Sequence, residues 1–148
     1  MAGVRFGLVT TATTTGVSKK TFLQIKAPSS QRVLVKKITV SFQSTANNEA
    51  PPLVQLCVQT DGTMTALTPV KLNSVDTESI QTVAYQPTNS VEPTSGGNVL
   101  DARAIHSQTT DVFDFQLNPL PIPGNTRLGV CVTATTSTTC VVSAECEE

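Results

Sequence analysis

The chain contains no tryptophan, one tyrosine and one histidine, and aromatic residues fill only 4% of its 148 positions. Sugar-stacking platforms and base-stacking surfaces are built from exposed rings, so both are disfavoured. A single histidine, His106, disfavours a histidine metal cage. Charge is also scarce: 14% of residues are Asp, Glu, Lys or Arg, against roughly 25% in an average globular protein. The signs balance, with Lys+Arg 10, Asp+Glu 11 and a formal net charge of -1. Neither nucleic acid nor an anionic membrane therefore has a global electrostatic reason to bind. No apolar run approaches the ~20 residues of a membrane-spanning helix. Residues 1–15 hold only the short patch Phe6-Gly7-Leu8-Val9 and lack the apolar stretch of a secretory signal, which predicts synthesis in the cytoplasm.

Threonine is abundant, at roughly one position in six, beside many valines. Both are β-branched and suit a pleated surface. Few charges with much Thr, Ser and Gln reads either as an uncharged solvent face or as a surface that meets other subunits. The length fits one domain, 1–148.

The dominant hydrophobic period is two. Val4, Phe6 and Leu8 alternate in a first strand or N-terminal arm within residues 1–15. Thr21, Leu23, Ile25 and Ala27 are expected on one face of a second strand, ended at Pro28. Residues 32–43 form the longest strand, with Leu34, Ile38, Val40 and Phe42 on one face, interrupted by Lys36. Loops are expected at 44–52 and 87–98. Val54, Leu56 and Val58 share a face, and Asp61-Gly62 signals a hairpin turn. Residues 64–79 read as irregular with room for a short helix. Strands are expected at 80–85, 99–106 and 112–117, the last with Phe113, Phe115 and Leu117 aligned. Residues 118–124 form a proline-rich connector ending in a Pro123-Gly124 turn. Final strands follow at 128–132 and 139–144, and 145–148 read as a flexible acidic tail. Eight or nine short strands without a long amphipathic helix predict an all-β, single-domain β-sandwich of jelly-roll type, with an immunoglobulin-like sandwich as the other candidate.

Four cysteines occur, none in a C-x-x-C pair and all far in sequence from His106. A hairpin turning at Thr135-Thr136 would bring Cys131 opposite Cys140, making a cross-strand disulfide conceivable, while buried free thiols are the expectation in a reducing compartment. No catalytic motif occurs. Ser107 and Asp101 or Asp111 are the crude partners His106 would need for a nucleophilic triad. Asp76/Glu78 and Asp111/Asp114 are the carboxylate pairs that could serve acid–base work if buried together. Lys19-Lys20 and Lys36-Lys37, or a patch of Arg5, Arg32 and Lys36, lack the aromatic interleaving of a nucleic-acid surface. The expectation is therefore a non-enzyme without metal, cofactor, nucleic-acid or membrane partner. Two features favour assembly: extended flanks (1–15 and 119–123), uncharged apart from Arg5, that could add to a neighbour's sheet, and strands with few edge-guarding charges.

Residues 27–33 (APSSQRV), 62–72 (GTMTALTPVKL), 78–82 (ESIQT), 92–94 (EPT), 100–106 and 123–130 (PGNTRLGV) resemble small β proteins of tailed bacteriophages encoded near the major capsid gene. The resemblance implies a jelly-roll head decoration, or cement, protein. Such a protein is located on the capsid exterior of the virion, forms dimers or trimers with itself, and binds the major capsid protein. The family has no fixed contact motif; Arg5, Phe6 and Leu8 are the candidate capsid or subunit contacts, as an exposed apolar patch ahead of a polar loop. The competing class is a carbohydrate- or receptor-binding module of a phage tail or fibre. A cupin-type enzyme would need several histidines.

Overall fold

The computed structural model describes residues 3–45, 50–62, 64–87 and 92–148. In chain order the strands are β1 (Arg5–Val9), β2 (Thr13–Thr14), β3 (Lys20–Lys26), β4 (Val33–Gln43), β5 (Leu53–Gln59), β6 (Thr65–Leu67), β7 (Val70–Lys71), β8 (Val83–Gln86), β9 (Ser95–Ala104), β10 (Thr110–Asp114), β11 (Leu120–Ile122), β12 (Arg127–Thr133) and β13 (Thr139–Glu147). No helix occurs among the described residues. The expected loops at 44–52 and 87–98 fall partly on 46–49 and 88–91, outside the described residues.

The strands build two antiparallel sheets, giving an all-β sandwich. Sheet 1 runs β10-β4-β13-β1-β7, with β11 on β4 and β2 on β13. Sheet 2 runs β6-β8-β3-β12-β5-β9. Eight strands have five residues or more: β1, β3, β4, β5, β9, β10, β12 and β13. Numbered one to eight along the chain, they lie in the order 6-3-8-1 in sheet 1 and 2-7-4-5 in sheet 2. Successive long strands therefore change sheet at every step but one. This wraps the chain around a single core rather than stacking hairpins.

Period-two alternation places the core. Along β13, Cys140, Val142, Ala144 and Cys146 point inward and their neighbours outward. Phe6 and Leu8 on β1 pair with Cys146 and Ala144 and are buried to 0% and 1% exposure. Burying a side chain of that size contributes about 1.5–3 kcal/mol. β1 is therefore an interior strand between β13 and β7: of the two readings of this segment, the first strand is the one observed, and the N-terminal arm is corrected. The expected acidic tail is corrected as well. Glu145 to Glu147 continue β13, and Val4 and Glu148 exchange backbone hydrogen bonds of 2.9 and 3.0 Å. The Glu148 carboxylate accepts the N–H groups of Gln81 at 2.5 Å and Thr82 at 2.8 Å. A chain end held by this many bonds does not fray.

β4 shows why simple alternation misplaces one half of a strand. Val35, Ile38, Val40 and Phe42 are buried, with Val33, while Leu34 is only half-buried. A bulge opposite Glu145/Cys146 inserts Lys36, so both Lys36 and Lys37 turn outward and the inward phase changes. A second bulge, at Val130/Cys131, leaves Phe22 unpaired on β3. Phe22 is buried, and Thr21 faces Cys131 on the outer side rather than sharing the face of Leu23 and Ile25.

Three further expectations change. Asp61-Gly62 does not close a hairpin, because β6 pairs with β8 and not with β5. Residues 64–79 carry β6 and β7 and no helix. β10 ends at Asp114, so Leu117 is not aligned with Phe113 but stands fully exposed in the following loop. The Pro123-Gly124 turn is present: Thr126 N–H donates to Pro123 O at 3.1 Å, and Asn125 takes the left-handed conformation with φ 62°.

Candidate functional site

Of the candidate contact residues, the structure exposes only Arg5. Phe6 and Leu8 face the core, so the expected apolar patch is not on the surface. Arg5 lies on the outer face of sheet 1 and pairs with Glu145.

Among the described residues no hydrogen bond links His106 to Ser107, Asp101 or Asp111, and, of the carboxylate pairs, Asp76 and Glu78 line a common surface depression. His106 is exposed, and its Nδ1 accepts the N–H of Gln108 at 3.2 Å. Asp101 and Asp111 are both engaged by Arg103, at 3.4 Å each. Asp111 pairs with inward-facing Val40 and Asp114 with outward-facing Lys37, so these carboxylates leave the strand on opposite faces. Asp76 accepts from the Asn73 amide at 3.0 Å.

All four thiols are buried and free. β12 and β13 lie in opposite sheets, so the hairpin that would bring Cys131 to Cys140 does not form. Burial pushes the Cys140 and Cys146 thiols up to about 12. Burial is also the main cause that pushes Cys131 up to about 11, against the lowering effect of the Thr21 hydroxyl. Cys131, Cys140 and Cys146 are therefore not thiolates at neutral pH, the form nucleophilic chemistry requires.

A buried polar cluster lies on the outer side of sheet 2. Gln59 Nε2 donates to Thr21 Oγ1 at 2.9 Å and to Cys131 Sγ at 3.4 Å. Gln24 Nε2 donates to Gln59 Oε1 at 2.8 Å and to Asp61 O at 2.9 Å, while Arg127 Nη1 donates to Gln24 Oε1 at 3.0 Å. Above it, Asp61 Oδ1 accepts the Thr94 N–H at 2.6 Å, and Glu92 accepts the Thr21 N–H at 2.7 Å. These bonds hold Asp61 and Glu92 to Ser95 over the sheet. Gly129 makes room: a Cβ there would stand 2.3 Å from the Gln59 amide. With its partners supplied internally, this cluster secures the cover over sheet 2. Beside it, Lys19, Thr21, Glu92, Pro93 and Ser95 line an open depression of about 260 Å3.

The sheet edges are guarded, against the expectation from their low charge. Asp111 Oδ1 accepts the Val112 N–H at 2.9 Å and Arg103 Nη1 donates to Val112 O at 3.0 Å, so side chains fill the free side of β10. Asp101 does the same for the Ala102 N–H of β9 at 2.8 Å. The N-terminal half of β9 is bulged, with Gly97 at φ 74°. β11 carries Pro121, and β6 and β7 are only three and two residues long.

Among the described residues, the outer face of sheet 1 has no such cover. Thr39, Ser41, Val141 and Ser143 form its half-buried centre, with Val9 64% and Val112 39% exposed at its sides. Val70 and Leu72 extend it past Gly7, where the Leu72 side chain lies over the glycine. Among the described residues, this field, uncharged at its centre and bounded by a row of charges, is suited to a macromolecular contact. Sequence reasoning missed it, because it arises from alternate residues of strands distant in the chain. The signal present was the Thr/Ser/Val content itself.

No family model, curated protein or solved structure matches the chain.

Proposed function

We propose that the chain is a structural virion protein that self-associates and binds the outer surface of a phage capsid. The order of its eight long strands, 6-3-8-1 against 2-7-4-5, is the observation that carries this reading. It favours a jelly roll, a double Greek key used by viral capsid proteins, lectins and cupin enzymes. Fold alone does not choose among those uses, so the side chains must. A cupin site needs several metal-binding histidines, and this chain has one. A sugar platform needs exposed rings, whereas Phe6, Phe22, Phe42 and Phe113 are buried and Phe115 and Tyr85 half-buried. A sheet face open among the described residues and uncharged at its centre, on a body with guarded edges, suits repeated contact between subunits without edge-to-edge polymerisation.

Physically, a small rigid sandwich that bridges capsid subunits adds buried interface at every copy. Modest contacts repeated over a closed shell then resist internal pressure together. The test is to add the purified protein to heads that lack it and follow heat-induced release of DNA. The reading predicts saturable binding and release at a higher temperature. Heads that neither bind the protein nor gain resistance would refute it.

A further inference from the structure

We infer that the outer face of sheet 1 is a self-complementary docking surface whose occupant is a second copy of this chain, placed face to face about a two-fold axis parallel to the strands. The inference rests on the self-association half of the reading above and is independent of the capsid half.

Strand register sets out the surface. Across the sheet from β10 to β1, one row reads Asp114, Lys37, Glu145, then Gly7. Gly7 brings no side chain and Leu72 lies over it, while Arg5, level with Glu147 in the register, pairs with Glu145 from the adjoining row. The three charges alternate: minus, plus, minus. A two-fold axis lying in the interface along the strand direction reverses the order of this row on the facing copy. Lys37 then meets the second copy's Glu145. The contact is made twice, and no like charges in the row oppose each other.

The next row reads Val112, Thr39, Ser143, Val9. The same operation sets Val112 against the second copy's Val9 and Thr39 against its Ser143, apolar on apolar and hydroxyl on hydroxyl. In the third row Ser41 meets Val141. Isologous two-fold contacts of this kind are the commonest way for identical chains to close, and sheets pack face to face about 10 Å apart. The outer face of sheet 2 is covered over Gln24, Gln59 and Cys131, and the edge strands are capped or short.

The test uses charge reversal in complementary halves, read by sedimentation equilibrium of the full chain. Wild-type protein is expected to associate, with a dissociation constant that rises with salt. Lys37→Glu sets Glu against Glu twice, and Glu145→Lys sets Lys against Lys twice. Each variant alone is expected to weaken association by about tenfold or more. Mixed in equal amounts, they restore both opposite-sign contacts, so the mixture is expected to associate like wild type. Circular dichroism of each variant establishes that it is folded, and Val112→Lys, on an exposed position, is a second variant expected to weaken association. Wild-type association unaffected by all three substitutions would overturn the face while leaving self-association standing. Variants that weaken alone but do not recover on mixing would overturn the two-fold arrangement. A wild-type chain that stays monomeric at every concentration would overturn both the inference and the self-association it rests on.

Discussion

Replacing Gly129 with alanine is the sharpest test of the cluster that holds the cover on sheet 2. The backbone there is extended, so alanine meets no conformational penalty. The added methyl would sit 2.3 Å from Gln59 Cδ and Oε1 and 2.6 Å from its Nε2. The amide must move. In moving it breaks the 2.8 Å bond from Gln24 and the 2.9 Å bond to Thr21, both among side chains of 2% exposure or less. Leaving a buried polar group without a partner costs about 1–3 kcal/mol. Gln24 keeps its bond to Asp61 O, so the loss falls mainly on the Gln59 amide and the Thr21 hydroxyl. Together these give about 2–4 kcal/mol, a large part of a typical stability of about 5–15 kcal/mol. The melting temperature should fall by about 5–15 °C. Urea denaturation of the wild type, Gly129→Ala, Gln59→Ala and the double variant forms a cycle that isolates the clash. The Gly129→Ala cost should largely vanish once Gln59 is shortened. An equal cost in both backgrounds, or less than about 0.5 kcal/mol in the wild type, would refute the reasoning.

Deleting residues 1–9 removes an interior strand together with Phe6 and Leu8, so the remaining chain is expected to lose its β circular dichroism signal; a folded deletion product would contradict the placement of β1. The raised Cys140 and Cys146 thiols stay protonated in the folded chain while an unfolded thiol ionises from its ordinary value of 9.0. Their linkage therefore leaves stability unchanged below about pH 9 and lowers it as pH rises from there towards 12, by at most about 1.4 kcal/mol per pH unit for each thiol. Urea midpoints at pH 8 and pH 10 should differ, and should differ less once both are alanine; an unchanged pH dependence would count against thiol burial as the cause. Substituting Glu148 with alanine leaves the Gln81 and Thr82 N–H groups without their acceptor and should cost about 1–2 kcal/mol, with hydrogen exchange accelerated at those two amides. Exchange as slow as in the wild type would show that the Glu148 side-chain carboxylate is not their anchor.

Much of the frame was legible because alternation reports a buried sheet face directly. Phe6 and Leu8, Leu23 and Ile25, Val54 and Leu56, and Leu128 and Val130 all face the core as their spacing predicts. Phase was lost where a bulge adds a residue, at Lys36 and at Phe22, because a bulge is a property of the strand pair and not of one strand. Partner choice was illegible for the same reason. Asp61-Gly62 favours a tight turn locally, but Asp61 binds Thr94 and the chain does not return to β5. Cys131 and Cys140 are nine residues apart yet lie in opposite sheets, since their separation in the fold depends on which sheet each strand joins. Reading Phe6 and Leu8 as an exposed patch failed because a short apolar stretch near a chain end reads alike whether it is an arm or a core strand. The open face of sheet 1 is composed from β1, β4, β10 and β13, so it existed only once their register was known.

The central claim is that this chain is a structural part of a virion, and counting it there is the most direct measurement. Quantitative mass spectrometry of purified virions from the source system gives its copies per major capsid subunit. The account predicts a number comparable to the capsid protein itself, as expected of a molecule repeated over the shell. Absence of the chain from purified virions would contradict it.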